Sequence, residues 1–384
     1  MTIILVNRFA GGQATPTGRM LADVARELLA RGAEVLVLTS RGRYADEEGA
    51  LPQGVQLRHL GGASGGRLWQ WLSFWVHVML ALPSLARGPC LLMTDPPFLS
   101  LAALPAFCLG RGPFFLWTMD LYPEALVASG RLWEGSLLHR VLVAAHRWSL
   151  LALRGLVVLG ECQWQRLQQH EGWMPARSMC LTVPPWDERP LPRVEKSNNP
   201  WLRREGFANC KIALYAGNLG EGHESQALVE VARLLHQQQR GDWRIVMVCR
   251  GSGVAGLRRD IAGLSTICVM DYVAADEAAA LLWGADVHLI TMKEHWSGVI
   301  VPSKLQGVLK TAAPVLFIGP PNSGTALEIL RLNRGEVLRA EATAAEVLEA
   351  LERQVSRSGL LPVLDDRTGA RTVADFLLGE GKPS

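Results

Sequence analysis

The sequence predicts an α/β protein built of two doubly wound domains in tandem. Three observations lead there. Short apolar runs alternate with amphipathic stretches, the pattern of parallel strands wound with helices. That alternation stops at a Pro-rich, charged stretch, residues 184–200 (PPWDERPLPRVEKSNNP), and then restarts. The chain of 384 residues is also too long for one typical domain.

The first domain is expected over residues 1–190. Its opening residues, MTIILVNRF, lack a basic region followed by a long apolar run and a small-residue cleavage site, so they read as a first strand and not as a signal peptide. Residues 14–31 carry helical periodicity in Leu21, Val24, Ala25, Leu28 and Leu29, and Gly32 is a good stop. Strands follow at 34–39, 55–60, 91–94, 114–118, 156–159 and 178–182. The second domain is expected over residues 200–365, with strands at 212–216, 243–249, 267–270, 287–291 and 315–318. Helices are expected there at 224–239, 254–261, 275–283, 302–310 and 324–332. A stretch at 366–384 ends in a helix near 371–378 with no strand after it, expected to cross back onto the first domain. Two such sheets would face a central cleft, with ligands at the carboxyl ends of the strands.

Composition narrows the class. The chain is 49% hydrophobic and 20% charged, with mean hydropathy +0.13, which is apolar for a soluble protein. A net charge of +3 gives no reason to propose nucleic acid as a partner. Seven scattered cysteines without a CxxC pair fit neither a disulfide framework nor a zinc site, and suggest a reducing cytoplasm. No HxxxH, HExxH or post-strand Asp-x-Asp is present, so no metal and no other cofactor is expected.

One segment complicates the soluble reading. Residues 68–86, LWQWLSFWVHVMLALPSLA, are uncharged for nineteen positions, near the minimum for spanning a bilayer. Gln70, His77 and Pro83, and a place between two strands of one sheet, argue for a surface helix instead. Trp69, Trp71 and Trp75 would then lie at the lipid interface; a span and a helix buried in the core are the alternatives. Nine of the thirteen tryptophans fall between Trp69 and Trp186, and Arg131, Arg140, Arg147 and Arg154 mix with Trp133, Trp148 and apolar runs. Tryptophan favours the headgroup region and arginine favours anionic lipid. A tryptophan-rich core with a solvated basic face is the other reading.

The most informative motif is Val301-Pro302-Ser303-Lys304-Leu305, read as a loop with one lysine and a helix starting at or near Pro302. Proline suits a first helical turn, whose free N–H groups attract anions. Ser303 and Lys304 would add a hydroxyl and a cation for a diphosphate. Gly217-Asn218-Leu219-Gly220 follows a strand and lets backbone N–H groups approach the same phosphates. Arg250 lies in another carboxyl-end loop, and Tyr272 with Val273 are placed to hold a base.

These residues carry a resemblance. YAGNLG at Tyr215–Gly220, ADVHLI at Ala285–Ile290, VPSKL at Val301–Leu305 and PVLFIGPPNS at Pro314–Ser323 resemble the nucleotide-sugar domain of family 4 retaining glycosyltransferases, which have the GT-B fold. In the first half, the loop and helix from Ala14, TDPPF at Thr94–Phe98 and WTMDLYPEALVASG at Trp117–Gly130 are similar to the bacterial exopolysaccharide branch, of colanic acid and O-antigen type. The resemblance implies transfer of a sugar from a nucleotide-sugar donor to a polyprenyl-diphosphate-linked saccharide, by a protein peripheral or monotopic on the cytoplasmic membrane surface. It implies acceptor-side roles for Asp120 and Glu124, and a donor or acceptor loop containing Gly12, Thr15, Thr17 and Arg19. Asp95 is a weaker candidate.

The sequence departs from the family where a pair of glutamates eight positions apart often lies. Val299 and Gly307 occupy those positions. An Arg/Lys pair of the glycine-loop region is replaced by Glu221 and His223, which leaves Lys304 as the main phosphate cation. The two missing glutamates motivate a second reading, a non-catalytic membrane-bound subunit or scaffold; a nucleotide-sugar epimerase on the same fold is a third.

Overall fold

The computed structural model describes residues 1–11, 15–40, 51–61, 66–169, 179–365 and 367–379. Gly12, Ala14 and Ser178 lie outside the described residues. The chain divides into two compact units, the first comprising Met1–Glu188, Gly298–Val301 and Asp366–Ser384, the second Arg189–Ser297 and Pro302–Asp365.

The first unit runs β1 (Thr2–Val6), α1 (Pro16–Ala30), β2 (Glu34–Ser40), β3 (Gln56–Leu60), α2 (Arg67–Leu85), β4 (Cys90–Met93), α3 (Leu104–Cys108), β5 (Phe114–Thr118), α4 (Glu124–Ala128), α5 (Leu137–Leu151), β6 (Leu153–Val158), α6 (Glu161–Gln168) and β7 (Cys180–Thr182). Its seven strands are parallel, in the order β3-β2-β1-β4-β5-β6-β7. Side chains alternate across a strand, so each face needs its own apolar set. Ile4, Val6, Leu92, Leu116 and Val158 pack with α2 and the 3-10 turn Leu99–Ala103 on one face. Ile3, Leu5, Leu91, Met93 and Trp117 pack with α1 on the other.

The second unit runs α7 (Pro200–Arg204), β8 (Lys211–Ala216), α8 (Gln226–Gln237), β9 (Trp243–Val248), α9 (Val254–Asp260), β10 (Ile267–Met270), α10 (Ala278–Trp283), β11 (Val287–Thr291), α11 (Lys304–Leu309), β12 (Val315–Ile318), α12 (Gly324–Arg331), β13 (Gly335–Leu338) and α13 (Ala344–Val355). Its six strands are also parallel, in the order β10-β9-β8-β11-β12-β13. The edge strand β13 escaped the sequence reading because its four residues are only half-buried and lack an apolar run. The last helix, α14 (Gly369–Leu378), packs on α1 in the first unit. Phe376 meets Phe115 edge-on at 5.5 Å, and Arg31 pairs with Asp375 at 2.8 Å.

Helix α2 corrects one expectation. Trp71 and Trp75 do not lie on its outer face. They share the face of Phe74, Val78 and Leu82, which are fully buried, and the Trp75 indole N–H donates to the Phe98 carbonyl at 3.1 Å. Trp71 stacks near the Arg8 guanidinium. Only Trp69 of the three is exposed, with Leu68, Leu72 and Leu80 on the same side. At 3.6 residues per turn, positions 71, 75, 78 and 82 fall on one stripe and 68, 72 and 80 on another. Among the described residues, no helix is long and apolar enough to cross a membrane.

Candidate functional site

In the second unit the strand order reverses between β8 and β11, and a crevice at such a switch point is where wound sheets hold ligands. Three carboxyl-end loops are tied together there. Leu219 N–H donates to the Arg250 carbonyl at 2.7 Å, and Gly253 N–H to the Leu219 carbonyl at 3.1 Å, which joins the loops after β8 and β9. Lys293 N–H donates to the Gly222 carbonyl at 3.0 Å, which joins the β8 loop to the end of β11.

Lys304 is the first residue of α11. The helix starts two residues later than the proline suggested, with Ser303 at the cap position making no side-chain cap bond. Pro302 and Ser303 belong instead to the turn leading in. The Lys304 stem lies across Gly217, whose φ of +136° strains any other residue, and an added Cβ would sit 2.6 Å from Lys304 Cε, so the lysine would have to shift. The Lys304 ammonium donates to the Tyr215 hydroxyl, to the Asn218 carbonyl at 2.8 Å and to His223 Nε2 at 3.3 Å, and lies 4.0 Å from the centre of the Tyr215 ring.

His223 has its own anchor. Its Nδ1 lies 2.7 Å from the Thr291 carbonyl, which fixes the proton on Nδ1 and leaves Nε2 as an acceptor facing Lys304. Burial, then the Lys304 charge, lowers its pKa to about 4, so the ring is neutral. Burial also lowers Lys304 to about 7, because its charge is desolvated, and the nearby Cys249 acts the other way. Tyr215 is fully buried, its phenol pushed up by that burial. Tyr215 and His223 were not among the residues expected to act. The signal in the sequence was a tyrosine ending a strand before a glycine loop, with a histidine six residues beyond the first glycine.

The remaining second-unit candidates divide. The exposed Arg250 guanidinium lies 5.0 Å from the centre of the Tyr272 ring and pairs with Asp271 at 3.3 Å, so Arg250 and Tyr272 form one flat surface feature. Val273 turns away and packs against the apolar cluster around Trp201. Asn218 is exposed, Gly220 half-buried and Leu219 buried.

In the first unit the switch point falls between β1 and β4. Arg8, after β1, holds Asp95, after β4, through two bonds of 3.0 Å. The Thr94 hydroxyl accepts from the N–H groups of Met119 and Asp120 at 3.0 and 3.1 Å, which sets the turn carrying Asp120. Asp120 is exposed and lines a narrow crevice with Phe98, Tyr122 and His146. Surrounding protein limits the solvation of its charge; that, and next the Asp95 charge, raises its pKa to about 6.

Asp120 and Glu124, both given acceptor-side roles, are four positions apart, but Asp120 lies outside the helix. The helix begins only at Glu124, because Tyr122 and Pro123 lie in the turn before it, and Glu124 is buried. The Thr15 hydroxyl is taken up in capping α1, accepting from Gly18 N–H at 3.1 Å and lying 3.2 Å from the Thr17 hydroxyl. Arg19, in the first turn of α1, is half-buried. Val299 is fully buried in the first unit and its carbonyl accepts from Leu121 N–H at 3.0 Å, a place where a carboxylate would be desolvated. Gly307 differs: an added Cβ would meet nothing within 4 Å.

No family model and no curated protein matches the chain. Solved structures do. The whole chain is similar to WaaG, a glycosyltransferase involved in lipopolysaccharide biosynthesis, at 17% identity and TM-score 0.71, covering 99% of this chain and 100% of that one. It is similar to sucrose-phosphate synthase from Thermosynechococcus elongatus at 11% identity and TM-score 0.68, covering 98% and 94%. It is also similar to Anabaena HepE, solved in complex with UDP-glucose, at 13% identity and TM-score 0.66, covering 98% and 94%. The fold is GT-B. At these identities the likeness concerns architecture, and in this GT-B chain chemistry is read from the residues themselves.

Proposed function

We propose that this GT-B protein is a retaining, metal-independent glycosyltransferase that moves a sugar from a nucleotide diphosphate donor to a lipid-linked saccharide in bacterial surface polysaccharide synthesis. One observation carries the reading. Lys304 is a half-buried cation at a switch point, beside a glycine loop, and its hydrogen-bond partners among the described residues are neutral. Such a cation is poised for an anionic ligand, and a diphosphate matches it together with the loop N–H groups of Gly217–Gly220. The Lys304 ammonium and these amides meet the charge that develops on the leaving diphosphate. Tyr272, backed by Arg250, offers a stacking face for the base. HepE was solved in complex with UDP-glucose, a nucleotide sugar of the class proposed.

On the acceptor side, Asp120 receives a hydroxyl of the saccharide or stabilises positive charge at the sugar. The first unit docks on the anionic cytoplasmic face of the membrane. Helices α2 and α5 both pack on the 3-10 turn at Leu99–Ala103, on one face of the sheet. Leu137, Val141, Trp148 and Leu151 recur at helical spacing on the exposed side of α5, after the exposed Trp133; Arg140 is exposed on the same helix, and Arg131 and Arg154, exposed too, flank it in sequence.

The test is a screen of nucleotide sugars for thermal stabilisation, followed by transfer to a polyprenyl-linked acceptor. Stabilisation by one donor class, lost in Lys304→Ala, is the expected result. Full transfer activity in Lys304→Ala would sink the phosphate assignment. The non-catalytic reading is favoured by Gly307, where open space would accept a side chain and none is present. Absence of binding to every common donor would decide for it.

A further inference from the structure

An ammonium group has three N–H donors. Among the described residues the Lys304 ammonium has three acceptors, the Tyr215 hydroxyl, the Asn218 carbonyl and His223 Nε2, with the Tyr215 ring face beside it. That is the surrounding of a charged group whose donors are all engaged. A phosphate oxygen therefore gains a direct bond from Lys304 only by replacing one of the three.

The three are not equally replaceable. Tyr215 is fully buried on β8, and its hydroxyl donates to the Asn218 carbonyl at 2.9 Å, so these two oxygens hold each other as well as the lysine. His223 is half-buried, and its bond to Lys304 is 3.3 Å against 2.8 Å for the Asn218 carbonyl. Its other ring nitrogen is fixed by the Thr291 carbonyl at 2.7 Å, so it can give up the lysine without losing its place. With the proton on Nδ1, the released Nε2 needs a new donor. An ionised diphosphate has no proton to offer there, but a sugar hydroxyl has. The sugar of a nucleotide sugar is joined directly to the diphosphate, which brings its hydroxyls next to the cation that holds the phosphates.

Resting on the donor reading above, we infer that a phosphate oxygen of the nucleotide sugar replaces His223 at the Lys304 ammonium, and that the released His223 Nε2 accepts a hydroxyl of the donor sugar. Lys304 then holds the diphosphate, and His223 contributes to binding only when a sugar is attached to it. The ring is suited to that part because burial and the Lys304 charge keep it neutral, and only a neutral ring accepts.

The experiment is calorimetry on the full chain at about pH 6, where Lys304 is charged and His223 neutral. The probes are three pairs: UDP and UDP-glucose, GDP and GDP-mannose, ADP and ADP-glucose. In the pair that binds, His223→Leu should weaken the nucleotide sugar about fivefold or more, and leave the parent diphosphate within about twofold of wild type or tighter. His223→Gln, whose side-chain carbonyl is again an acceptor, should recover most of the loss. His223→Phe lacks the acceptor but keeps a ring, and is read in the same way if the leucine variant does not fold. Equal weakening of both members of the pair overturns the inference and leaves the donor site standing, with His223 acting only through Lys304. Unchanged binding of both members overturns it as well. No binding by any pair to the wild-type chain overturns the donor reading and this inference together.

Discussion

The two switch points of this molecule are built alike and charged differently. In the first unit Arg8 follows β1 and meets Asp95 after β4 in a two-bond ion pair. In the second unit Lys304 reaches the loop after β8, beside the end of β11, and its hydrogen-bond partners among the described residues are a phenol, a carbonyl and a neutral imidazole. The first cation is neutralised within the fold. The second is held by hydrogen bonds but not neutralised. Equivalent places in two wound sheets therefore have opposite readiness for an anion, and the difference lies in side-chain partners, not in strand order.

The comparison breaks most sharply at Lys304. Lys304→Ala should lower kcat/KM by about 10²–10³-fold while the circular dichroism spectrum and unfolding midpoint stay close to wild type. If Arg8→Ala produced the same kinetic loss without unfolding, the contrast between the switch points would fail. Next in size is Gly217→Ala. Its φ of +136° and a Cβ 2.6 Å from Lys304 Cε should displace the lysine and weaken nucleotide binding about tenfold or more, read by calorimetry.

Asp95→Asn sharpens the first-unit side. It leaves Arg8, 11% exposed in its side chain, without a counter-charge, and should cost about 1–3 kcal/mol in a denaturant titration. It also removes a charge that raises Asp120. Both acceptor-side roles proposed for Asp120 need its ionised form, so wild-type kcat/KM should fall as pH drops through about 6. In Asp95→Asn that acid limb should move to lower pH, and an unmoved limb would separate Asp120 from the titration. The smallest effect is expected from Trp133→Ser and Trp148→Ser together. Both side chains are exposed, so stability should change by less than about 0.5 kcal/mol, while binding to phosphatidylglycerol vesicles should fall about threefold or more in a sedimentation assay.

Much of the fold was legible because strands buried on both faces leave continuous apolar runs. Phe114–Thr118 and Val287–Thr291 stand at their expected bounds for this reason, and β1 lies in the opening run read as a strand. Helix starts were less legible. Pro302 carried a good first-turn signal, yet α11 begins at Lys304. Local propensity gave way there to the path of the loops. The outward and inward tryptophans of α2 were confused because an uncharged helix hides which stripe faces the sheet; contact with Phe98 and Arg8 decided it for Trp75 and Trp71.

The sequence by itself determined two wound sheets, the loops at their strand ends, and the presence of Lys304 and Gly217 among them, since periodicity and glycine placement are local properties. Only the tertiary structure decided which charges are answered. Arg8 and Asp95 are 87 positions apart, Lys304 and His223 81, and His223 and Thr291 68. Pairing over such separations depends on how parallel strands are ordered, and desolvation depends on what packs around them. The same lysine that reads as an exposed cation in sequence is, in the fold, a half-buried amine among neutral acceptors.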